Sequence, residues 1–380
     1  MKIETFNYTE EKSWSVPSFP LLDSSNTLIL IFAAPQFIEN PKPILELIKA
    51  YPEAKITGCS SAGEIFGPVV NDDSLSVAVV KFDHTTVKIE SMANNNSQAS
   101  YTAGSTLAKK LLGEDLKSIL VLSDGLTVNG TELVKGFNDT VPDNVVVTGG
   151  LAGDGSAFKR TWVIYNGSLL ENTICAVGLY GKKLTVGHGS KGGWDTFGPE
   201  RRVTRSKGNV LYELDDKPAL ALYKEYLGDR AKDLPASGLL FPLMIREGSN
   251  SEKQLVRTIL AVDEDKQSLT FAGDMPMGYL AKLMRANFDR LVTGANDAAV
   301  LASSNIAGKG PMLAIAISCV GRRLLLGQRI EEEAEATLEI FPKGTLQIGF
   351  YSYGELSPYA TGGTCDLHNQ TMTLTTYAEQ

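Results

Sequence analysis

Cysteine is scarce in this chain of 380 residues: there are four, at positions 59, 175, 319 and 365, with no C-x-x-C pair. Histidine is scarcer still, with three residues at 84, 188 and 368, far apart in the sequence. That spacing gives a zinc ion no ligands at the usual intervals. So few thiols in so long a chain fit reduced cysteines better than a disulfide framework. Long apolar runs are missing too: stretches such as "LILIFAA" fall far short of the roughly 20 residues a membrane span needs. The opening "MKIETFNYTEEKSWSV" has no apolar signal core, so a soluble, cytoplasmic protein without membrane insertion is expected. Positive charge is in deficit, with 36 Lys and Arg against 44 Asp and Glu and a net charge of −8. An acidic surface repels phosphate backbones, which argues against nucleic acid as a partner. The one basic clump, "PERRVTRSKG" (199–208), reads as an exposed strand or turn.

What is present is an ordinary globular composition, 43% hydrophobic and 21% charged, in a chain long enough for two or three domains. Residues 1–26 read as a lead-in with little periodicity. "TLILIFAA" (27–34) is a continuous apolar run, the mark of a strand covered on both faces. "NPKPILELIKAYPEA" reads as a helix with early prolines, and "AKITG" as the next strand. "SILVLSDG", "TELVKGFNDTV" and "NVVVTGGLAGDG" repeat the order strand, helix, strand. A hairpin is predicted around Asn166-Gly167. Further on, "PALALYKEYLGDRA" reads as a helix, "GLLFPLMI" as a strand and "YLAKLMRANFDRLVTGANDAAVLASS" as one long helical stretch. "PMLAIAISC" reads as a buried strand, "RRLLLGQRIEEEAEATLEI" as a helix, and "TLQIGFYSYGELSP" as closing the ordered part before a polar tail.

The sequence repeats itself. Gly58, Ser61, Gly63 and Glu64 of "TGCSSAGE" match Gly349, Ser352, Gly354 and Glu355 at identical spacing, and "TGGLAGD" (148–154) is a weaker third copy with one residue deleted. Three β-α-β units therefore end in glycine-rich turns carrying an acid: Glu64, Asp154 and Glu355. The crossovers are right-handed and the strands of each unit parallel, so ligands are expected beyond their carboxyl ends. If the halves face each other, Glu64 and Glu355 line one pocket from opposite sides.

Several chemistries fail on spacing. A nucleophile elbow requires G-x-S-x-G, but Cys59 and Phe350 stand where the first glycine belongs around Ser61 and Ser352. "GGLAGDG" is not a dinucleotide fingerprint, and "IAGKGP" (306–311) lacks the Ser or Thr of a P-loop. What remains is complementary charge. Glu64, Asp154 and Glu355 can accept from an ammonium, and Arg322 and Arg323 can clamp a carboxylate. Ion pairing of these arginines with helix glutamates such as Glu331 is the plainer alternative.

These residues carry a resemblance. The chain resembles the FIST sensory proteins over nearly its whole ordered length. "TGCSSAGEI", "ILVLSDGL", "NGTELVKGF" and "VVVTGGLAGDG" are similar to the N-terminal FIST pattern; "ALALYKEYLG", "GLLFPLMI", "LTFAGDMPMG", "SCVGRR" and "GFYSYGELSP" to the C-terminal one. The resemblance implies a non-catalytic, ligand-binding input module of prokaryotic signal transduction, with amino acids among the proposed ligands. It implies a separate histidine kinase, diguanylate cyclase or chemotaxis receptor as partner, since both halves account for the chain. Some members are associated with haem and nitric-oxide sensing, for which His84 and His188 are the candidate axial ligands. A serine or cysteine hydrolase is the remaining alternative.

The expected fold is α/β, with mixed sheets built from parallel β-α-β units plus antiparallel strands. Its two related halves, 27–215 and 216–380, are expected to stack as α-β-β-α layers. The expected ligand-binding residues are Ser60, Ser61, Gly63, Glu64, Asp124, Gly150, Asp154, Cys319, Arg322, Ser352, Tyr353 and Glu355, with no metal and no obligate cofactor.

Overall fold

The apolar run Thr27–Ala33 is a strand whose alternate residues go to opposite faces. Leu28, Leu30 and Phe32 enter a central core, while Ile29, Ile31 and Ala33 enter an outer core beneath a helix. Two later strands divide in the same way. Leu120 and Leu122 point inward against Ile119 and Val121 outward; Leu313, Ile315 and Ile317 point inward against Ala314 and Ala316 outward. A strand covered on both faces has no polar side to show, which is why these runs are continuously apolar. The computed structural model describes residues 1–304 and 311–380; "IAGKGP" therefore lies, up to Gly310, outside the described residues.

The three strands belong to three units of one design. The first unit comprises β1 (Lys2–Thr9), a short β2 (Ser13–Trp14), β3 (Thr27–Ala33), α1 (Lys42–Ala50), β4 (Lys55–Ser60), a hairpin of β5 (Glu64–Phe66) and β6 (Val69–Asn71), and β7 (Ser74–Lys81). The second comprises β8 (Thr86–Ala93), α2 (Ser100–Leu111), β9 (Leu116–Ser123), α3 (Gly130–Asn138), β10 (Val146–Leu151), a hairpin of β11 (Val163–Tyr165) and β12 (Ser168–Leu170), and β13 (Thr173–Tyr180). The third opens with β14 (Leu184–Lys191) and is then interrupted. The interruption holds β15 (Asp195–Lys207), β16 (Val210–Leu214), β17 (Lys217–Pro218), α4 (Ala219–Leu227), β18 (Leu243–Arg246), β19 (Leu255–Arg257), β20 (Ile259–Asp263), β21 (Ser268–Phe271) and β22 (Leu280–Arg285). The unit resumes with α5 (Phe288–Ser303), β23 (Met312–Cys319), α6 (Val320–Leu326), α7 (Ile330–Ile340), β24 (Leu346–Ser352), a hairpin of β25 (Gly354–Pro358) and β26 (Cys365–His368), and β27 (Met372–Glu379).

In each unit the two β-α-β strands pair in parallel: β3 with β4, β9 with β10, β23 with β24. Each hairpin, however, joins the sheet of another unit. The first unit's hairpin pairs with β24, the second's with β4 and the third's with β10. The exchange is cyclic, and it binds all three units into one body. The sheets lie inside and the helices outside, and three sheets rather than two share the central core, where Phe32 and Phe350 meet at 4.7 Å between ring centroids. The interrupting segment forms its own eight-stranded sheet, with α4 packed on Leu211, Phe271 and Leu283.

Several elements differ from the sequence reading. Lys2–Thr9, expected within a lead-in, is a full strand paired along its length with β7. Leu280–Arg285, expected as helix, is a strand between β15 and β18; Asn287 then caps α5 by accepting from Arg290 N. The helix expected from Arg322 onward breaks at Gly327, whose φ is +53°. "GLLFPLMI" is a 3-10 turn up to Leu240 and a strand only from Leu243. The boundary expected at 215/216 falls between β16 and β17, which pair in the eight-stranded sheet.

The repeated glycines have a shared cause. Gly58, Gly149 and Gly349 occupy the same register in the second strand of each unit, facing Ile31, Val121 and Ala316 across the parallel pair. A Cβ at any of them would overlap the carbonyl of that partner. The strands cross too closely there for a side chain.

Candidate functional site

The residues singled out in the sequence fall at three corners that touch: Gly153 N donates to Ser60 O, Ala62 N to Tyr351 O, and the Tyr353 hydroxyl to Asp154. After β4, Ser60 Oγ accepts from Trp162 N (3.1 Å) and Ser61 Oγ from Gly63 N (2.8 Å). Gly63 has φ +134° and lies under Arg323, which is paired with Asp72. Glu64 is fully buried and accepts from Ser74 N (3.1 Å) and Ser74 Oγ (2.8 Å). The third unit repeats this arrangement. Glu355, also fully buried, accepts from Thr371 N (3.2 Å), Thr371 Oγ1 (2.9 Å) and Ser352 Oγ (2.6 Å). Each carboxyl therefore ties the first strand of its hairpin to the start of the returning strand. Glu64 and Glu355 sit in different sheets, one in a strand paired with β24 and the other in a strand paired with β10.

The third acid is not their equivalent. Glu64 pairs with Phe350 and Glu355 with Gly150; the matching position in the second unit is Val163, which pairs with Cys59. Asp154 lies instead in the longer loop before β11. It accepts from the backbone N of Phe158, Lys159 and Arg160 at 2.7–2.9 Å and from the Tyr353 hydroxyl. Asp124 closes the neighbouring loop, taking Leu126 N, Thr127 N and Thr161 Oγ1. Gly150 faces Ile317 and Phe350 in the central core.

Arg322 is fully buried and its five N–H groups are all engaged. It donates to Glu333 Oε2 from Nε (2.9 Å) and Nη2 (2.8 Å), and to the carbonyls of Gly192, Leu291 and Gln370. Its partner is Glu333 rather than Glu331. Cys319 lies beside this group, and burial pushes its thiol well up. No histidine or lysine is bonded to Ser61, Ser352 or Cys319 among the described residues, so no nucleophile–base pair supports the hydrolase alternative. His188 is buried in β14 opposite Thr375, and His84 lies in an exposed turn beside Lys183.

Burial raises the Glu64 and Glu355 carboxyls to about 8 each, against an ordinary 4.5, with hydrogen bonds opposing the shift only in part. The folded state therefore holds both protons where the unfolded state has lost them. Stability is full below the unfolded value and falls as pH rises toward 8, by about 1.4 kcal/mol per pH unit for each group. Glu64→Gln should match the parent near pH 4.5, exceed it at pH 8 and reduce the slope. Urea unfolding midpoints across this range check the expectation; an unchanged slope would show that Glu64 is ionised in the fold.

Two cavities open between α3 of the three-unit body and the eight-stranded sheet. One cavity of about 390 Å³ is walled by α3, β18, β19 and β26. A second, of about 360 Å³, lies beyond the carboxyl end of β9, between Gly125–Gly130 and Phe271–Asp274, with Tyr353 and Phe158 stacked at its side. The two are divided by Asp274, which accepts from Asn129 Nδ2 at 3.1 Å and whose own N meets Thr131 Oγ1. Of the expected site residues, Tyr353 lines the second cavity and Asp124 adjoins it; Arg322, Glu64 and Glu355 line neither.

The first cavity contains the group the sequence reading missed. Arg257 is 2% exposed, and burial lowers its guanidinium to about 10. Its Nε donates to Asp274 O and its Nη1 to the carbonyls of Val256 and Leu367. Among the described residues it has no carboxylate within ion-pair distance, and Nη2 has no partner. Asp366, on the same wall, gives one oxygen to Lys253 and keeps Oδ2 buried and unpartnered. The available signal was a lone arginine inside the apolar stretch "QLVRTILAVD".

This is a mixed α/β module of two packed parts with a polar cleft between them, the form of a ligand-binding protein. It belongs to the FIST family: the FIST N domain matches residues 27–217 and the FIST C domain residues 219–358. Such domains serve as small-ligand sensors in signal transduction. An uncharacterized protein of Methanocaldococcus jannaschii is 27% identical over 246 residues, 60% of this chain and 43% of that protein. The chain thus spans less than half the length of that relative. A crystal structure of cyanuric acid hydrolase from A. caulinodans matches over 100% of this chain and 99% of its own, at 8% identity and a TM-score of 0.39. A likeness that loose carries no argument about chemistry.

Proposed function

We propose that this protein is a sensory input module that binds a small zwitterion, an amino acid or close analogue, in the cavity between α3 and β18–β19. The observation that carries the reading is Arg257, a buried guanidinium with no ion-pair partner among the described residues. A charge removed from water without a counter-charge is costly, and a ligand carboxylate would supply the missing one. Asp274 and Asp366, on the same wall, would take the ammonium. The ligand would bridge α3 of the N-terminal half to β18 and β19 of the C-terminal half, so binding would favour whichever arrangement closes the cleft, by no more than its differential affinity. The corner of Asp124, Asp154 and Tyr353 would shift with it, while Ser60, Ser61, Gly63, Glu64, Gly150, Cys319, Arg322, Ser352 and Glu355 would hold the frame. The signal would pass to a separate protein of the histidine kinase, diguanylate cyclase or chemotaxis-receptor type in the cytoplasm.

A thermal-shift screen against the common amino acids tests this. A ligand at about 100 times its dissociation constant adds about 2.7 kcal/mol, and Arg257→Lys, which keeps the charge but loses the fork, should weaken the response. No shift from any amino acid at millimolar concentration would overturn the proposal.

A further inference from the structure

The cavity that holds Arg257 is unevenly charged once its internal pairs are set aside. Its wall carries Asp139, Glu247, Asp274 and Asp366 against Lys135, Arg246, Lys253 and Arg257. Arg246 is already neutralised by Glu200, outside the wall, through Nε (2.7 Å) and Nη2 (2.8 Å). Lys253 is paired with Asp366. Lys135 in the last turn of α3 and Asp139, its C-cap, both touch Tyr101, and as one cation and one anion they cancel in the sum. Glu247, Asp274 and Arg257 are then the charges left over on this wall: two carboxylates and one guanidinium. Neither Glu247 nor Asp274 is in an ion pair among the described residues.

The groups also differ in depth. Arg257 is buried and Asp274 partly so, whereas Glu247 is exposed at the mouth. Between them run Ile245, Leu255, Tyr279 and Leu367, an apolar wall suited to a methylene stem. We infer that the ligand is a diamino-monocarboxylic acid of the lysine or ornithine type. This rests on the reading of the cavity as a zwitterion site. The α-carboxylate meets Arg257, the α-ammonium meets Asp274, and the distal ammonium reaches Glu247 at the mouth. Such a ligand carries one net positive charge, which cancels the one unmatched carboxylate.

Calorimetric titration of the full chain with L-lysine, L-norleucine and L-glutamate tests the inference. Norleucine keeps the head group and stem of lysine and lacks only the distal charge. Lysine should bind at least about fivefold tighter than norleucine, the scale of one partly exposed charge-assisted contact, and glutamate should bind weakest. In Glu247→Gln, a change at an exposed side chain, the preference for lysine should vanish while norleucine is unaffected. Norleucine or glutamate binding as tightly as lysine would overturn the inference and leave the zwitterion site standing. Binding of none of the three would overturn the site itself, and the inference with it.

Discussion

Gly149→Ala should leave the chain unable to reach its soluble folded form. The residue has φ +148°, and a Cβ there would overlap the carbonyl oxygen of Val121 on the adjacent parallel strand. Relief requires β9 and β10 to separate, yet β10 also carries the third unit's hairpin and β9 packs into the central core. With every neighbour fixed, the cost should exceed about 4 kcal/mol, a large share of the 5–15 kcal/mol by which domains are stable. Gly58→Ala and Gly349→Ala meet the same obstacle at Ile31 and Ala316 and should behave alike. Gly248→Ala, which meets nothing within 4 Å, is the control. Soluble yield and circular dichroism of the four variants decide the matter; a folded Gly149→Ala protein with a parent-like melting temperature would show that the strands can part.

Glu333→Ala should cost about 3–5 kcal/mol, because it strands Arg322 as an uncompensated buried charge. Glu333 is itself fully buried and also accepts from Ser318 Oγ (2.9 Å) and Tyr351 OH (2.8 Å), so the change removes the centre of a network joining α6, α7, β23 and β24. Through the carbonyls of Gly192 and Leu291, Arg322 also fastens the places where the chain leaves for the eight-stranded sheet and returns from it. Arg322→Met combined with Glu333→Leu should recover much of the loss, since replacing a whole buried pair by apolar groups is often near neutral. Denaturant unfolding of the single and double variants measures the coupling. A Glu333→Ala protein of parent stability that binds amino acids more tightly would instead make Arg322 the carboxylate clamp.

The repeat was legible because steric constraint writes itself into sequence. Gly58, Gly149 and Gly349 cannot be anything else where two parallel strands approach so closely, and buried strands must be apolar on both faces. The position of the third acid was not legible. Aligned by sequence, Asp154 follows Glu64 with one residue deleted, but sheet register puts Val163 in the equivalent place because the second unit spends extra residues on a loop. Leu280–Arg285 misled for another reason: short apolar runs fit a strand or a helix, and the sheet edge offered by β18 decided between them.

The sequence by itself determined the α/β class, the three glycine-rich corners, the scarcity of metal ligands and the membership of the FIST family. Each follows from local sterics, composition or residue order. Only the tertiary structure decided which polar groups are satisfied. Charge types do not reveal their partners: Arg322, in sequence either a ligand clamp or an ion-pair member, is fully bonded, whereas Arg257 looked like an ordinary strand residue and has no ion-pair partner among the described residues. The cyclic exchange of hairpins was hidden for the same reason, since a strand's own sequence specifies a pleated, half-buried surface and not the sheet that will receive it.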